Sequence, residues 1–259
     1  MRKREFLEER RIRLLEHING NGRADVGELA TKFSVPEATI RRDLLVLESQ
    51  SLIYRTHGGA IRRDQPSLWK TTSLHERSIQ HKEEKERIAD LVEQLVHDGE
   101  SIMIDAGSTT LCVARKLVNK KNLLILTNTS TIGEILVGIS ENKVILTGGE
   151  LVQRTNATVG VAAEMSLKQY RTDKAIIGVS GLLIDEGFFA AIPEEAEIKR
   201  LMLKNAKETI IVTDSSKVGT RALCFVCDFS GIDKLITDKN IPRSALDQLV
   251  KAGIEVFTA

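Results

Sequence analysis

Apolar positions follow two regimes along this 259-residue chain. Over the first sixty residues they recur at helical spacing: Leu14, Leu15 and Ile18, then Val26, Leu29, Ala30 and Phe33, then Ile40, Leu44 and Leu47. That spacing predicts three amphipathic helices. The first covers residues 8–19 and is closed by Gly20-Asn21-Gly22, the second opens on Asp25 as its N-cap, and the third follows Ser34-Val35-Pro36. Pro36 disfavours helical geometry at Val35, so it is expected at the first helical position, in preference to a capping box of Ser34 and Glu37. Residues 52–63 then read as a small hairpin with Gly58-Gly59 at its bend. Two short helices across a tight turn, with a packing helix before them and a hairpin after, make a winged helix-turn-helix.

From residue 81 the pattern changes. A helix through Ile88, Leu91, Val92 and Leu95 closes at Asp98-Gly99, and short apolar runs then alternate with helical segments. Strands are predicted at residues 101–104, 123–126, 144–146, 174–177, 209–213, 223–226, 235–237 and 254–257, and helices at 111–118, 132–139, 194–206 and 244–250. Such alternation specifies an α/β domain with a parallel sheet covered by helices. Three parts follow: a winged helix-turn-helix over residues 1–63, a polar linker over 64–80 with Trp69 as a pinning point, and a larger α/β domain over 81–259.

Composition adds limits. Apolar and charged contents of 42% and 28% are those of a folded, water-soluble chain. No apolar run is long enough to span a bilayer, and the charged start lacks a signal-peptide core, so the expected location is the cytoplasm. Three cysteines are too few for a disulfide framework. Cys224 and Cys227 lie three apart on a predicted strand, where they face opposite ways, so they read as packing residues and imply no metal. No cofactor is implied. Residues 1–63 hold 13 Lys and Arg against 9 Asp and Glu, so the basic charge belongs to the small N-terminal part.

The third helix carries the first candidate chemistry. Ala38, Thr39, Arg41 and Arg42 lie away from its apolar stripe, which suits a helix entering the major groove of double-stranded DNA. Arg41 and Arg42 are about 100° apart, so one is expected to read bases while the other grips phosphate. Arg10 and Arg11 on the first helix, and Arg55 and His57 on the hairpin, are further candidates for the DNA backbone.

The second set lies at predicted strand ends. Asp105-Ala106-Gly107-Ser108-Thr109-Thr110 opens a helix with free amides and three hydroxyls, a place for an anion, with Gly107 allowing close approach. Thr127-Asn128 and Gly148-Gly149 end the next two strands, at the edge where open parallel sheets bind ligands. Without a Walker-type Gly-Lys-Ser/Thr, this set favours a small phosphorylated ligand over a nucleoside triphosphate. Asp214-Ser215-Ser216-Lys217 follows a later strand, where Lys217 places a cation and the serines place donors. An aspartate beside phosphate is repelled, so Asp105 and Asp214 either hold sugar hydroxyls or brace the loops.

Thr39-Ile40-Arg41-Arg42-Asp43-Leu44, Leu47-Glu48 and Arg55-Thr56-His57-Gly58-Gly59-Ala60 resemble the DNA-binding domain of the DeoR family of bacterial transcriptional regulators. Pro36 departs from the capping serine common in that family. The segments 105–110, 127–128, 148–150, Gly160 and 214–217 with Gly219 are similar to the family's sensor domain. The resemblance implies a sensor fold like that of sugar-phosphate isomerases, a phosphorylated sugar as effector, operator DNA as partner, and repression of a carbohydrate-use operon. A homodimer or homotetramer is expected, because operator half-sites mirror protein symmetry. Departures cluster where the family has an acidic Gly-x-Asp-Gly-Ile-Asp and a Thr-Thr-Pro-Asp run. This chain has Gly178-Val179-Ser180-Gly181-Leu182-Leu183 and Phe189-Ala190-Ala191-Ile192 there, while Glu194, Glu195 and Lys199 still match. The resemblance therefore implies an intact phosphate end and a less polar sugar end, with Ser180 and Glu194 among its contacts. Two rivals remain open: an isomerase-like enzyme carrying a DNA-binding domain, with Glu194 or Glu195 as its acid or base, and a regulator without a sugar-phosphate effector.

Overall fold

The structure, a computed structural model, describes residues 2–21, 23–49, 52–56, 58–62 and 73–259. Gly22, His57 and Trp69, singled out above, lie outside them. The chain separates into two compact units, Met1–Ser67 and Leu68–Ala259.

The first unit contains α1 (Arg2–Asn21), β1 (Arg23–Asp25), α2 (Val26–Phe33), α3 (Glu37–Ser49), β2 (Ile53–Arg55) and β3 (Gly59–Arg62). Asp25 caps α2 as expected, its carboxylate accepting from Gly27 N at 2.7 Å. Ser34, at φ 53°, ends that helix in the left-handed region. Pro36 stands one place earlier than expected: its carbonyl accepts from Thr39 N and Ile40 N, and α3 begins at Glu37. The apolar stripe of α3 is the core of this unit. Ile40, Leu44 and Leu47 are buried with Leu14, Ile18, Val26, Leu29 and Ile53. β1 turns the wing into a three-stranded antiparallel sheet by pairing Ala24 with Ala60. Three residues with a single apolar one carry no period for a sequence reading to detect.

The second unit begins upstream of residue 81. α4 (Leu74–Ile79) lies in the stretch expected to be linker, followed by α5 (Lys82–Leu95), β4 (Ser101–Ile104), α6 (Ser108–Leu117), β5 (Leu124–Thr127), α7 (Ser130–Leu136) and β6 (Lys143–Leu146). Next come β7 (Glu150–Val152), β8 (Ala157–Val159), α8 (Val161–Lys168), β9 (Thr172–Gly178), β10 (Gly181–Leu183), β11 (Gly187–Ala190), α9 (Pro193–Lys204), β12 (Ala206–Val212), β13 (Cys224–Cys227), β14 (Lys234–Thr237), α10 (Arg243–Lys251) and β15 (Glu255–Thr258). Seven strands form the parallel sheet, in the order β15-β14-β12-β9-β4-β5-β6.

Alternate residues of each strand enter different cores. Ile102, Ile104, Ile125, Ile176, Ile210, Val212 and Ile236 pack with α5, α6 and α7, while Met103, Leu126, Ile177, Ile211 and Leu235 pack with α8, α9 and α10. The period-two pattern thus builds a three-layer helix-sheet-helix sandwich. The expected strand at 223–226 is β13, but it lies outside the parallel sheet, in a small antiparallel sheet ordered β10-β11-β13.

Candidate functional site

On the first unit, packing decides which polar residues of α3 remain available. Asp43 is buried and accepts from Arg10 Nε at 2.7 Å and Arg11 Nε at 2.9 Å, which ties α1 to α3. The acid of the Arg-Arg-Asp motif thus engages the Nε of both Arg10 and Arg11, the first-helix candidates for the DNA backbone, whose guanidinium groups stay partly exposed. Ala38, Arg41 and Arg42 are exposed and Thr39 is half-buried. Arg41 pairs with Glu37 at 3.0 Å across one helical turn, a contact between two half-exposed side chains that a phosphate can replace. Arg42 has no partner among the described residues. Arg55 Nη1 lies 3.6 Å from Glu48, linking the hairpin to α3.

On the second unit, chain order reverses between neighbouring strands β4 and β9, the switch point where open α/β sheets form their crevice. The first loop there is built around Asp105. It accepts from Gly178 N at 2.9 Å, forms an ion pair with Lys199 of α9, and is buried. Of the two roles left open for Asp105, bracing is the one its contacts describe. Thr110 also serves the loop, its hydroxyl donating to Asp105 O at 2.8 Å and Gly107 O at 3.1 Å. Gly107 has an extended backbone, and a Cβ there would meet Thr110 Oγ1 at 2.9 Å, so the small residue protects this packing. The hydroxyls of Ser108 and Thr109, in the first turn of α6, make no hydrogen bond to the described residues and remain available beside the helix's free amides.

The next two strand ends form one braced unit. Asn128 Oδ1 accepts from Ala106 N at 3.0 Å and Nδ2 donates to Thr158 O at 3.1 Å, so its amide ties the β4 loop to β8. Thr147 and Thr158 share a hydroxyl bond of 2.8 Å. Gly149, at φ 122°, takes the β7–β8 hairpin past Val159 O, where a Cβ would stand only 2.3 Å away; Gly148 meets no such limit. Thr127, Thr129 and Thr237 each bury a hydroxyl without a partner.

After β12, Asp214 accepts from Ser216 N at 3.2 Å and from its hydroxyl, while Ser215 donates to Asp238. Both serines and Asp214 therefore shape the turn. Lys217 is half-buried and unpaired among the described residues. Ser180 is anchored through its backbone N–H to Phe189 O at 2.8 Å. Glu194 is exposed, whereas Glu195 and Lys199, one turn apart on α9, are buried. The apolar segments that replace the family's polar ones are packed: Leu182 and Ala190 in the main core, Phe189 and Ala191 against Ala222. Cys227 is a packing residue, its thiol pushed up to about 12 by burial.

Two residues near this edge escaped the sequence reading. Lys85 of α5 is buried and donates to Arg77 O and Gln80 O at 2.6 Å each, closing the end of α4; burial lowers its pKa, with Asp214 acting against that. Arg77 of α4 buries Nε and Nη2 without a partner among the described residues, and burial lowers its pKa against the pull of Glu195 and Asp105. Periodicity gives no sign of either, since Arg77 reads as a solvated charge in a polar linker and Lys85 as one in the charged first turn of a helix.

Comparison with known proteins matches residues 10–66 to the DeoR-like helix-turn-helix domain and residues 80–239 to the DeoR C terminal sensor domain. The chain belongs to the DeoR family. Among DeoR-family relatives, the glycerol-3-phosphate regulon repressor of Escherichia coli K12 is 35% identical over 94% of this chain and 95% of its own. The putative aga operon transcriptional repressor of E. coli O157:H7 is 31% identical over 96% and 93%, and the transcriptional repressor GlcR of Bacillus subtilis 32% over 97% and 96%. Similarity to solved structures is more distant: 18% identity and TM-score 0.40 to ribose 5-phosphate isomerase A of Methanocaldococcus jannaschii, covering 54% of this chain and 55% of that one. The probable sor operon regulator of Shigella flexneri gives 12% and 0.41 over 69% and 91%. As a DeoR-family protein the chain is a DNA-binding transcriptional regulator, and no helix among its described residues is long and apolar enough to cross a membrane.

Proposed function

We propose that this DeoR-family protein represses a carbohydrate-use operon and leaves its operator when a phosphorylated sugar or related metabolite binds the C-terminal unit. One observation carries the effector half: at the switch point of the sheet, Ser108, Thr109 and Lys217 stay uncommitted among the described residues while Asp105, Asn128 and Asp214 brace the loops. Two hydroxyls, the amides of α6 and one cation suit a phosphoryl group. The names of the relatives support repression of a sugar-related operon. For DNA, Ala38, Thr39, Arg41 and Arg42 read the major groove, and Arg55 and His57 hold the backbone. The regulator acts as a homodimer or homotetramer on paired half-sites, in the cytoplasm.

We favour a sensor over an isomerase because the positions where the family carries aspartates hold Ser180 and Leu183 here, which removes two candidates for acid and base roles, and Asp105 is held by Lys199 and Gly178. The test is a gel-shift assay on the native operator with a panel of hexose, pentose and glycerol phosphates. At least one is expected to release DNA from the parent and to lose that effect in Lys217→Ala. Turnover of any of these compounds by the parent above the Lys217→Ala background overturns the sensor-only reading.

A further inference from the structure

α4 is short, polar and pinned at both ends. Ser73 and Glu76 form a capping box, Leu74 N donates to Arg154 O at 2.9 Å, and Lys85 Nζ holds the final carbonyls. The helix packs on α6, the element whose first turn carries Ser108 and Thr109. From this fixed platform Arg77 buries two guanidinium nitrogens that find no acceptor among the described residues, and at the head of α9 Glu195 buries Oε1, which finds no donor among them. The nearby Asp105 is unavailable to Arg77, being paired with Lys199 and bonded to Gly178 N. Buried polar groups in a folded protein are nearly always satisfied, and an orphaned donor and an orphaned acceptor close enough for Glu195 to act electrostatically on Arg77 are an unusual expense.

We propose that Arg77 is an effector-binding residue supplied by α4, and that it and Glu195 together select a phosphorylated polyol, the arginine taking a phosphoryl oxygen and the glutamate a sugar hydroxyl. This rests on the sensor reading above and deepens it. A single ligand carrying both an anionic acceptor and a hydroxyl donor satisfies both orphans at once; inorganic phosphate satisfies only the first. The electrostatics agree, since Glu195 and Asp105 are the two charges acting on the buried guanidinium. A ligand-contacting residue on α4 also gives the site a direct hold on the helix that follows the DNA-binding unit in sequence. The sequence boundary at residue 81 placed this segment in a linker; the structure assigns it to the site.

The experiment compares the full-length parent with Arg77→Met, Glu195→Gln and the double variant. Thermal midpoints are measured for the free chain and with glycerol 3-phosphate, glucose 6-phosphate, ribose 5-phosphate and inorganic phosphate. Free of ligand, neither single variant is expected to lower the midpoint, because neither removes a satisfied contact. The sugar phosphate that stabilises the parent is expected to bind Arg77→Met and Glu195→Gln about tenfold more weakly or worse, the loss of one charge-assisted hydrogen bond each. Arg77→Lys should recover part of that loss, and inorganic phosphate should feel Arg77→Met but not Glu195→Gln. A lowered midpoint in both single variants that fails to add in the double variant identifies a structural ion pair and overturns the proposal, as does unchanged affinity in Arg77→Met. If no sugar phosphate acts on the parent, the effector class proposed above fails; the midpoints and the response to inorganic phosphate still decide whether Arg77 is a free anion-binding group.

Discussion

Asp43 accepts from Arg10 and Arg11 at once, and its carboxylate is buried while both guanidinium groups keep partial contact with water. Removing it leaves two cations facing each other between α1 and α3 with no shared counter-charge. Asp43→Ala is therefore expected to cost the first unit about 1.5–3 kcal/mol, the range for hydrogen bonds to charged groups. Hydrogen exchange of α1 and α3 in the full chain should accelerate accordingly, and unchanged protection of both helices would sink this account. Sequence alone could not assign Arg10 and Arg11, because a basic residue on a helix announces its charge and not its partner. The same holds for Glu194 and Glu195: adjacent residues on a helix differ by about 100° in direction, and only the packing of α9 shows which one turns inward. Asn128 reads as a polar residue at a ligand edge, yet its amide is spent on Ala106 and Thr158, a loop and a strand that the chain separates widely.

At the scale of elements, α3 concentrates the testable chemistry of the DNA-binding unit. Arg41→Ala and Arg42→Ala are each expected to abolish operator binding at physiological salt, with weakened binding still measurable at low salt, while leaving the sensor's response to ligand intact. The base-reading arginine should relax sequence preference, by about 1–3 kcal/mol, and the phosphate-gripping one should flatten the salt dependence instead. Filter binding at several salt concentrations separates them, and normal affinity in both variants contradicts the groove assignment. The strands of the parallel sheet were legible within about three residues because the central ones are apolar runs buried on both faces, while the edge strands β6 and β15 keep partly exposed residues. The hairpin strands β7, β8, β10 and β11 were not. Each has three or four residues, and each is specified by pairing with a neighbour more than by its own pattern. β13 was seen as a strand but assigned to the wrong sheet, since CFVC fits an antiparallel flap as readily as a parallel core. α4 was missed for the opposite reason: its stability comes from caps and from Lys85, so it shows almost no apolar stripe.

For the whole molecule, the proposed regulation is a linkage between two binding events on one chain. An effector releases DNA only in proportion to its preference for the DNA-free form, and the coupling is reciprocal. Saturating operator DNA is therefore expected to weaken effector binding by the same factor by which effector weakens operator binding. Calorimetric titration with and without operator measures both sides, and an effector affinity indifferent to DNA would exclude release by this route. The arrangement of α3 bears on how such regulators diversify. Its core residues and its anchor to α1 sit at positions 40, 43, 44 and 47, interleaved with 38, 39, 41 and 42 but turned the other way. The four outward positions form an address that can be rewritten as a cassette. Exchanging them between relatives should redirect this sensor to another promoter with its folding and its metabolite response carried over unchanged.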